Sequence, residues 1–503
     1  MATLIVLLPL IPAVVAALVA IFGWNLVTAW TGPAACLTTA GIGVVLAVHV
    51  LADGPATAFG GQLRVDALSA LMIIFIGVVG SISAVYAVAY LRTELDNGST
   101  TARRAMLFGV LMQLTIAAML VVVVADNLGV LWVAIETTTI ATVLLVGHRR
   151  DRASVEASWK YLVLGSVGVA TALLGTVLVY FVSRHSGIDA SSALRWSTLV
   201  EHATALDPGA LRVAIGFVVV GYGTKAGLAP VHSWVPDAYS QAPAPVAALM
   251  SGVLSSMSMY ALLRLKVVAD IALGAGFVRG LLLVAALFSL VTAASLMVTQ
   301  RDYKRLLAYS SVEHMGLVAL AAAIGSPLAM SAALLHLIGH GLAKSVAFCS
   351  SGELLFATGT THIAGVRGLL HQRPFIGATF GLSALALLAM PPFSIFASEL
   401  AILRAGISDQ LTWAIVIAAV LLLVIFGAVA VHSLNMLSGE ELTGPDLAGP
   451  DLAGPDHMQL TAHASSITAR IPLAGGLVLA AAIGITIWPI SRLLDTAAKV
   501  LAR

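Results

Sequence analysis

The chain has 503 residues, of which 59% are hydrophobic and 10% are charged. Its 26 lysine and arginine residues nearly balance its 24 aspartate and glutamate residues, so the formal net charge is +2, and the mean hydropathy is +1.00. Since an ordinary soluble protein carries roughly 25% charged residues, this composition excludes a soluble enzyme, a nucleic-acid-binding protein and a disordered chain.

Apolar runs of about 20 residues, the length of a helix that crosses a bilayer, recur along the chain. The run at the N-terminus, Met1–Phe22, has no basic segment before it and no small-residue cleavage site, which indicates a first membrane helix and not a signal peptide. We predict an all-α polytopic membrane protein with about fourteen transmembrane helices. Their predicted positions are 3–22, 27–51, 67–90, 105–125, 127–147, 157–183, 210–229, 244–266, 276–299, 304–325, 327–356, 376–403, 411–437 and 471–490.

Lysine and arginine residues concentrate in the loops after the third, fifth, ninth and eleventh predicted helices. Because cytoplasmic loops carry an excess of these residues, we expect these loops on the cytoplasmic side and both termini on the other side. Basic residues near the C-terminus argue mildly against this orientation. The expected location is the inner, cytoplasmic membrane of the cell.

Proline and glycine interrupt two predicted helices, the seventh at Gly221–Trp234 and the twelfth at Leu387–Leu400. Broken helices at matching positions of two halves are typical of inverted-repeat transporters, with the site near the midplane. Two unrelated proline kinks would give the same pattern. The repeat interpretation predicts two inverted five-helix repeats, with this division: helices 1–3 in 1–104, a first half (helices 4–8) in 105–270, a second half (helices 9–13) in 271–437, a flexible Gly/Pro/Asp linker in 438–470 and helix 14 in 471–503.

The sequence predicts no catalytic residue, metal site or cofactor on this chain. Cys36 and Cys349 lie far apart inside apolar runs, and two cysteines cannot supply an iron–sulfur cluster or a structural zinc site. Haem-attachment, dinucleotide-binding and P-loop motifs are also absent from the sequence. Any redox chemistry would therefore belong to partner subunits.

Two ionisable residues stand inside predicted membrane helices. Glu136 is surrounded by apolar residues and threonines, and Lys225 directly precedes the first break. A charge in hydrocarbon costs at least about 2.5–3.5 kcal/mol, so each residue needs a partner or a role. A Glu–Lys contact that forms and breaks would change the proton affinity of both groups. Alternatively, Glu136 anchors neighbouring helices and Lys225 extends its ammonium toward a helix end.

The eleventh predicted helix carries His336, His340 and Lys344 at positions i, i+4 and i+8. This spacing places the three on one face, and histidine both accepts and passes protons near neutral pH. We predict a proton or water path here. A zinc site lacks a third ligand nearby in the sequence, and a passive seam of hydrogen bonds between helices is the remaining alternative.

Four further residues are candidates for the proton path. Glu399 follows the second break, where it would communicate with the outer phase or be a solvated interfacial carboxylate. His314 is favoured to face inward over its neighbour Glu313, since adjacent helical residues point in different directions. His232 and Asp237, near the first break, are either a pair that stabilises the loop or part of an access path.

At these residues the sequence resembles a known family. The segments APVHSWVPDAYSQAPAPVAALMSGVL, RLLAYSSVEHMG and HLIGHGLAKSVAFCSSGELL are similar to the antiporter-like membrane subunits of respiratory complex I, multisubunit Na⁺/H⁺ antiporters and membrane-bound group 4 hydrogenases. The resemblance extends over about 67–435 and is nearest to component F of hydrogenase-4 type complexes. It implies that the proton-carrying residues of the family correspond to Glu136, Lys225, His336, His340, Lys344 and Glu399.

The eighth helix departs from the family. Relatives often carry a central lysine or histidine there, whereas SGVLSSMSMY offers only serines. Serine holds water but stores no proton near pH 7. Ser256 and its neighbours therefore either bridge the two halves through water or leave the path interrupted.

The resemblance implies a proton-translocating subunit of a multisubunit oxidoreductase. Expected partners are other membrane subunits, the lipid bilayer and a peripheral redox module of nickel–iron hydrogenase type with iron–sulfur subunits, and no nucleic acid. The alternatives are a subunit of a multisubunit Na⁺/H⁺ antiporter, a structural membrane anchor with weak or no pumping, and a proton-coupled subunit that serves a non-redox partner.

Overall fold

The computed structural model describes residues 1–439 and 465–502. Within these residues the chain forms twenty α-helices and one antiparallel β-hairpin, in which Ala56 lies opposite Val65. The helices are α1 (Ala2–Phe22), α2 (Leu26–Asp53), α3 (Ala67–Asp96), α4 (Ala102–Val124), α5 (Leu128–Val146), α6 (Arg152–His185), α7 (Trp196–Glu201), α8 (Pro208–Ala226), α9 (Trp234–Gln241), α10 (Ala244–Leu249), α11 (Ser255–Leu273), α12 (Ala275–Val298), α13 (Tyr303–Ile324), α14 (Pro327–Thr358), α15 (Leu369–Gln372), α16 (Pro374–Leu387), α17 (Ser394–Ser408), α18 (Thr412–Ser438), α19 (Ile467–Ile485) and α20 (Trp488–Leu501). The strands are β1 (Ala56–Ala58) and β2 (Leu63–Val65).

Polar N-cap residues determine where several of these helices begin. Asp66 accepts a hydrogen bond from the backbone N–H of Ser69 at 3.0 Å, and Asp302 accepts one from Arg305 at 2.8 Å. The first turn of a helix leaves such N–H groups without a partner inside the helix. An aspartate at the N-cap supplies that partner and stabilises the start of the helix.

Twelve helical segments in the described residues are long and apolar enough to cross a membrane. They confirm the prediction of an all-α polytopic membrane protein. The two predicted helices outside these twelve are the seventh and the twelfth, which are the two that the fold interrupts. The total of about fourteen spans stays a prediction.

Both predicted breaks are present. Helix α8 ends at Ala226, where Gly227 adopts a left-handed conformation with φ of 86°, and α9 begins only at Trp234. Helix α16 ends at Leu387 and α17 begins at Ser394, after two prolines. Proline removes a backbone donor and clashes with the preceding turn, so neither helix continues through its proline segment. The inverted relation of the two halves stays a prediction, as do their boundaries.

The helices separate into a buried centre and a surrounding layer. The most apolar windows of α13, α14 and the segment Ala244–Leu273 are 100% buried, whereas those of α1, α2, α6, α12, α18 and α19 are only 33–39% buried. The exposed faces of the surrounding helices carry large apolar side chains, as contact with lipid requires. The centre is therefore where polar groups are shielded from lipid.

The C-terminal region differs from the single predicted helix. Residues 471–503 contribute to two helices, because α19 ends at Ile485 and the amphipathic α20 begins at Trp488, just before Pro489. Helix α20 packs chiefly on α3 and α14, and its residues Leu493, Leu494 and Ala497 are buried. The predicted Gly/Pro/Asp linker falls on 440–464, outside the described residues, apart from its two ends.

Candidate functional site

Lys225 occupies the last turn of α8, directly before the first break, and is 1% exposed. Its Nζ donates a hydrogen bond to the Tyr161 hydroxyl at 2.5 Å and lies 4.4 Å from the centre of the Tyr161 ring. The Tyr161 hydroxyl lies 2.8 Å from Thr142 Oγ1, and Thr142 donates to the Thr138 carbonyl at 2.6 Å. Since each hydroxyl has one proton to donate, Tyr161 donates to Thr142. The buried amine is thus held by a neutral phenol.

Glu136 lies half-buried on α5, the helix that also carries Thr142. Thr139 and Ser166 lie beside its carboxylate, but its Oε2 is buried with no hydrogen-bond partner among the described residues. Glu136 and Lys225 are near enough to interact electrostatically. They form no ion pair in the part of the chain that the structure describes, where Lys225 donates to Tyr161. The structure therefore holds the two groups in a separated arrangement.

The two polar residues of the first break do not pair with each other. Asp237 accepts from Arg305 at 2.5 Å and from Lys160 at 3.1 Å, so its carboxylate joins α9 to α13 and α6. His232 is half-buried in the break, and its Nδ1 has no partner in the described segments. Of the two alternatives for His232 and Asp237, the pair is not formed, and the access path stays a prediction. Asp237 instead pairs with Arg305 and Lys160, two partners that the sequence did not indicate.

The eighth-helix serines lie between the two groups of titratable residues. Ser255 Oγ lies 2.7 Å from the Tyr239 hydroxyl, and Ser251 Oγ lies 2.8 Å from Ser311 Oγ on α13. Ser256 is 0% exposed, and its hydroxyl has no partner among the described residues. The segment Met250–Leu254, between α10 and α11, is a π-helical turn, a feature frequently found at functional sites.

The predicted stripe on α14 faces α13. Lys344, His340 and His336 are each 0% exposed. Lys344 Nζ donates to the Leu307 carbonyl at 2.5 Å, the His340 ring centre lies 4.9 Å from that of His314, and His336 Nε2 lies 3.0 Å from His314 Nδ1. Neither ring nitrogen of His340 has a partner among the described residues. The structure thus brings the stripe together with His314, the inward-facing residue expected on α13.

The protonation of the His314–His336 pair follows from its neighbours. Ser398 Oγ donates to the Ile395 carbonyl at 2.8 Å, so the same oxygen accepts from His336 Nδ1, 3.0 Å away. A neutral His336 then carries its proton on Nδ1 and accepts at Nε2. It follows that His314 donates through Nδ1 and presents a bare Nε2, which has no partner among the described residues. This tautomer assignment rests on the hydrogen-bond network.

Glu399 lies on α17, one residue after Ser398, and lines a cavity of about 270 Å³ together with Glu313. The remaining lining is mostly apolar and comes from α13, α16, α17 and α18. One donor atom from each of His314, His336 and Glu399 lies within 4.8 Å of the others. The carboxylate that follows the second break is therefore next to the histidine pair, at the edge of a cavity.

The sequence analysis did not select three residues that the structure places at the candidate site. Glu313 was set aside because it is adjacent to His314, yet both are buried, since α13 is enclosed on every side. Tyr161 and Ser398 carry no sequence signal of their own. They matter because the fold brings them to Lys225 and His336.

Charged and titratable side chains that are shielded from lipid and cluster beside two broken helices define a class of protein, the polytopic ion translocators. The sequence profile described as "NADH:quinone oxidoreductase/Mrp antiporter, TM" matches residues 125–425. That range covers more than half of the chain and contains every residue of the candidate site. The chain belongs to this family.

Individual relatives agree with the family assignment. The chain is 37% identical over 350 residues to a "Hydrogenase-4 component F homolog" of Methylacidiphilum infernorum (isolate V4), covering 69% of this chain and 73% of the relative. It is 32% identical over 339 residues to an "NADH-quinone oxidoreductase subunit N" of Desulforudis audaxviator (strain MP104C), covering 66% of this chain and 64% of the relative.

Solved structures share the fold along nearly the whole chain. A chain of the membrane-bound sulfane sulfur reductase, an archaeal respiratory membrane complex, superposes with a TM-score of 0.83 at 24% identity, covering 100% of this chain and 98% of that one. A chain of the Mrp complex from Dietzia sp. DQ12-45-1b gives a TM-score of 0.83 at 20% identity, with the same coverage. The relatives are subunits of multisubunit membrane complexes, and this chain is a multi-pass membrane protein of their kind.

Proposed function

We propose that this chain is the proton-translocating subunit of a membrane-bound oxidoreductase of group 4 hydrogenase type in the inner, cytoplasmic membrane. The observation that carries the proposal is the row of buried and half-buried titratable side chains from Glu136 and Lys225 to His336 and Glu399. Buried charges of this kind are costly, and in membrane proteins they mark ion and proton pathways. The similarity to a component F homolog supports the hydrogenase branch.

Proton release starts at Lys225 in this proposal. A Glu136 carboxylate that approaches the Lys225 ammonium stabilises the protonated amine, and one that moves away favours release of the proton. Two opposite charges 4 Å apart interact by about 4 kcal/mol at an effective dielectric constant of about 20. Because about 1.4 kcal/mol changes an equilibrium tenfold, making and breaking this contact is enough to control whether the amine keeps its proton.

Between the halves, hydroxyl groups and water carry the proton. The Tyr239–Ser255 and Ser251–Ser311 contacts bring polar atoms from α9 to α13. Ser256 adds a buried hydroxyl with no protein partner among the described residues, and water is the usual partner for such a group. This hydrated segment replaces the central lysine or histidine of relatives.

In the last transfer, the proton passes through the histidine pair to Glu399. A proton that reaches His314 Nε2 makes that ring a cation, which passes its Nδ1 proton to His336 Nε2. His336 then releases the same Nε2 proton to the Glu399 carboxylate, while its other proton stays on Nδ1, donated to Ser398 Oγ. One nitrogen of His336 thus both receives and releases the proton. Ser398 is a positioning residue in this step.

Glu136→Gln tests the proposed pairing. The amide keeps the shape of the side chain but carries no charge, so we expect proton translocation to fall at least about tenfold while the complex still assembles. Translocation is measured in proteoliposomes with a pH-sensitive dye, and assembly on native gels. Glu201→Gln, at an exposed acid outside the path, is the matched control. Unchanged translocation in Glu136→Gln would contradict the pairing.

The proposed partners are further membrane subunits and a peripheral nickel–iron hydrogenase module with iron–sulfur subunits. Purification of the complex through a C-terminal tag, followed by assays of nickel, iron and hydrogen-dependent dye reduction, tests them. Bound metal with hydrogenase activity is the expected result. A metal-free complex of membrane subunits alone would favour the second candidate.

The second candidate is a subunit of a multisubunit Na⁺/H⁺ antiporter, which the full-length fold similarity to a chain of the Mrp complex favours. It would use the same residues. Proton flux that depends on Na⁺ distinguishes the two, because a hydrogenase-coupled pump works without Na⁺. A Lys225→Ala/Glu399→Ala double variant with normal coupling would instead indicate a structural anchor.

A further inference from the structure

Three metal-binding groups converge where α13, α14 and α17 meet. His314, His336 and Glu399 each contribute a donor atom, and these atoms all lie within 4.8 Å of one another. Two imidazoles and one carboxylate form a ligand set of zinc sites that keep a fourth position open. We propose that this cluster binds one Zn²⁺ ion and that bound zinc blocks proton transfer. The second part rests on the proposed function.

The distances suit a tetrahedral ion. His314 Nδ1 and His336 Nε2 lie 3.0 Å apart, and two ligands bound at 2.0–2.1 Å in a tetrahedron lie about 3.3 Å apart. The imidazole pair therefore needs little movement. The Glu399 donor atom lies within 4.8 Å of those of both rings and has to come closer, and its side chain borders the cavity on one side, where no packed atoms restrain it.

Of the two imidazole nitrogens that would bind the metal, one already has a free lone pair. Ser398 holds the His336 proton on Nδ1, so Nε2 is already free to bind a metal, as in zinc sites where the second ring nitrogen donates to a fixed partner. His314 has to move its proton from Nδ1 to Nε2. That atom has no hydrogen-bond partner among the described residues, so the change of tautomer breaks no contact there.

Charge and access also fit a dication. Glu399 and Glu313 line the same cavity, and two carboxylates offset the two charges of the ion. The cavity, of about 270 Å³, has room for a water molecule as fourth ligand. Lys344 acts electrostatically on both His314 and Glu313, and its Nζ is held by the Leu307 carbonyl.

This site differs from the histidine pair on α14 that the sequence offered as a zinc site. His336 and His340 are spaced for zinc on one helix but lack a third ligand nearby, whereas the fold brings His314 and Glu399 to His336. The ion would occupy the two nitrogens between which the proposed proton passes. Zinc and the proton therefore compete for the same lone pair on His336.

The experiment measures zinc binding directly, so its result does not depend on pumping. The purified complex is stripped with a chelator and dialysed against ZnCl₂. Zinc per chain is determined by mass spectrometry, and its ligands by X-ray absorption. We expect wild type and the control His340→Gln to bind one more zinc ion per chain than His336→Gln or Glu399→Gln. Ser398→Ala keeps all three ligands and should lower the affinity about 10- to 100-fold.

Equal zinc content in wild type, His336→Gln and Glu399→Gln, all assembled on native gels, would overturn the site. Equal loss in His340→Gln and His336→Gln would overturn this choice of ligands. Zinc is also titrated against proton translocation by wild type in proteoliposomes, where reversible inhibition relieved by a chelator is expected. Binding at the site without inhibition would overturn the blocking role while leaving the metal site intact.

Discussion

At the scale of single residues, the candidate site depends on what each buried polar atom contacts. Lys225 would cost several kcal/mol as an isolated buried ion, and Tyr161, Thr142 and the helix carbonyl beyond them spread that cost over a chain of hydrogen bonds. The Tyr161 phenol carries no charge, so it does not attract the Lys225 ammonium as the Glu136 carboxylate does. Tyr161 therefore holds the amine in place while Glu136 stays free to move.

Tyr161→Phe should slow proton translocation without preventing assembly. The change removes one hydrogen bond to a charged group, worth about 1.5–3 kcal/mol, and leaves the ring packed beside Trp234. Without this partner the amine favours its neutral form, so fewer protons enter the path in each cycle. Initial rates in proteoliposomes report the effect. Tyr222→Phe, at a buried tyrosine on α8 whose hydroxyl is paired with Thr176, should keep the wild-type rate. Equal rates in the two variants would contradict the holding role.

Charges inside apolar runs are conspicuous in a sequence, which is why Glu136, Lys225 and the α14 stripe could be selected before the fold was known. Tyr161 and Ser398 could not be, since tyrosine and serine are common in membrane helices. Their importance arises from contacts with residues 64 and 62 positions away. Sequence reasoning identifies ions that need partners, and the fold is required to find which neutral groups serve them.

At the scale of helices, close approach of backbones packs α14 against the segment Met250–Leu254. Helix α14 crosses the π-helical turn so tightly that a Cβ added at Gly341 would lie 2.5 Å from the Gly252 carbonyl oxygen and 2.3 Å from Phe75 Cζ. Real Cβ contacts are almost never below 3.0 Å. The crossing brings α14 against the serine-bearing segment, so this glycine sets the distance between the histidine stripe and the eighth helix.

Gly341→Ala should therefore destabilise the protein by about 1–3 kcal/mol, the usual cost of forcing extra atoms into a packed interior. The thermal midpoint of the detergent-purified complex, followed by tryptophan fluorescence, measures the change. Gly427→Ala on α18 is the control, because a Cβ at that position meets nothing within 4 Å. A midpoint for Gly341→Ala equal to that of the control would show that α14 can move away freely.

Helix breaks were predictable because proline acts locally, whereas helix burial was not. The prolines near Ala226 and Leu387 end α8 and α16 whatever surrounds them. Glu313 was dismissed on the assumption that a helix has one buried face. Helix α13 is enclosed on all sides, which depends on how the other helices pack and is invisible in its own sequence. The separate α20 was missed for a related reason, since its apolar face is covered by helices distant in sequence, chiefly α3 and α14.

At the scale of the whole molecule, proton movement requires that the Lys225 region and the histidine region exchange protons across the eighth helix. Between Ser251 and Met259 the chain carries no titratable side chain, and the polar side chains there are all serines. Ser251 contacts α13 and Ser255 contacts α9. Ser256 and Ser258 are the buried hydroxyls of this segment that have no partner among the described residues, and Ser256 follows directly on Ser255 in the chain. In the proposed function, water bound at the Ser256 hydroxyl connects the Lys225 region to the histidine region, so proton exchange between the two regions should depend on that hydroxyl.

Ser256→Ala should lower proton translocation several-fold while leaving stability unchanged or slightly raised. Removing a buried hydroxyl that has no protein partner costs no protein hydrogen bond, so a structural role predicts no loss of activity, whereas a water-binding role predicts a clear one. Ser256→Thr keeps the hydroxyl and should retain more activity than alanine. Ser345→Ala, at a buried serine that donates only to its own helix, should translocate normally. The rate in D₂O separates the roles further, because a proton transfer that has become rate-limiting slows more in D₂O than the wild-type cycle does. Wild-type rates and isotope effects in Ser256→Ala would mean that the halves are bridged elsewhere, or that they work without exchanging protons.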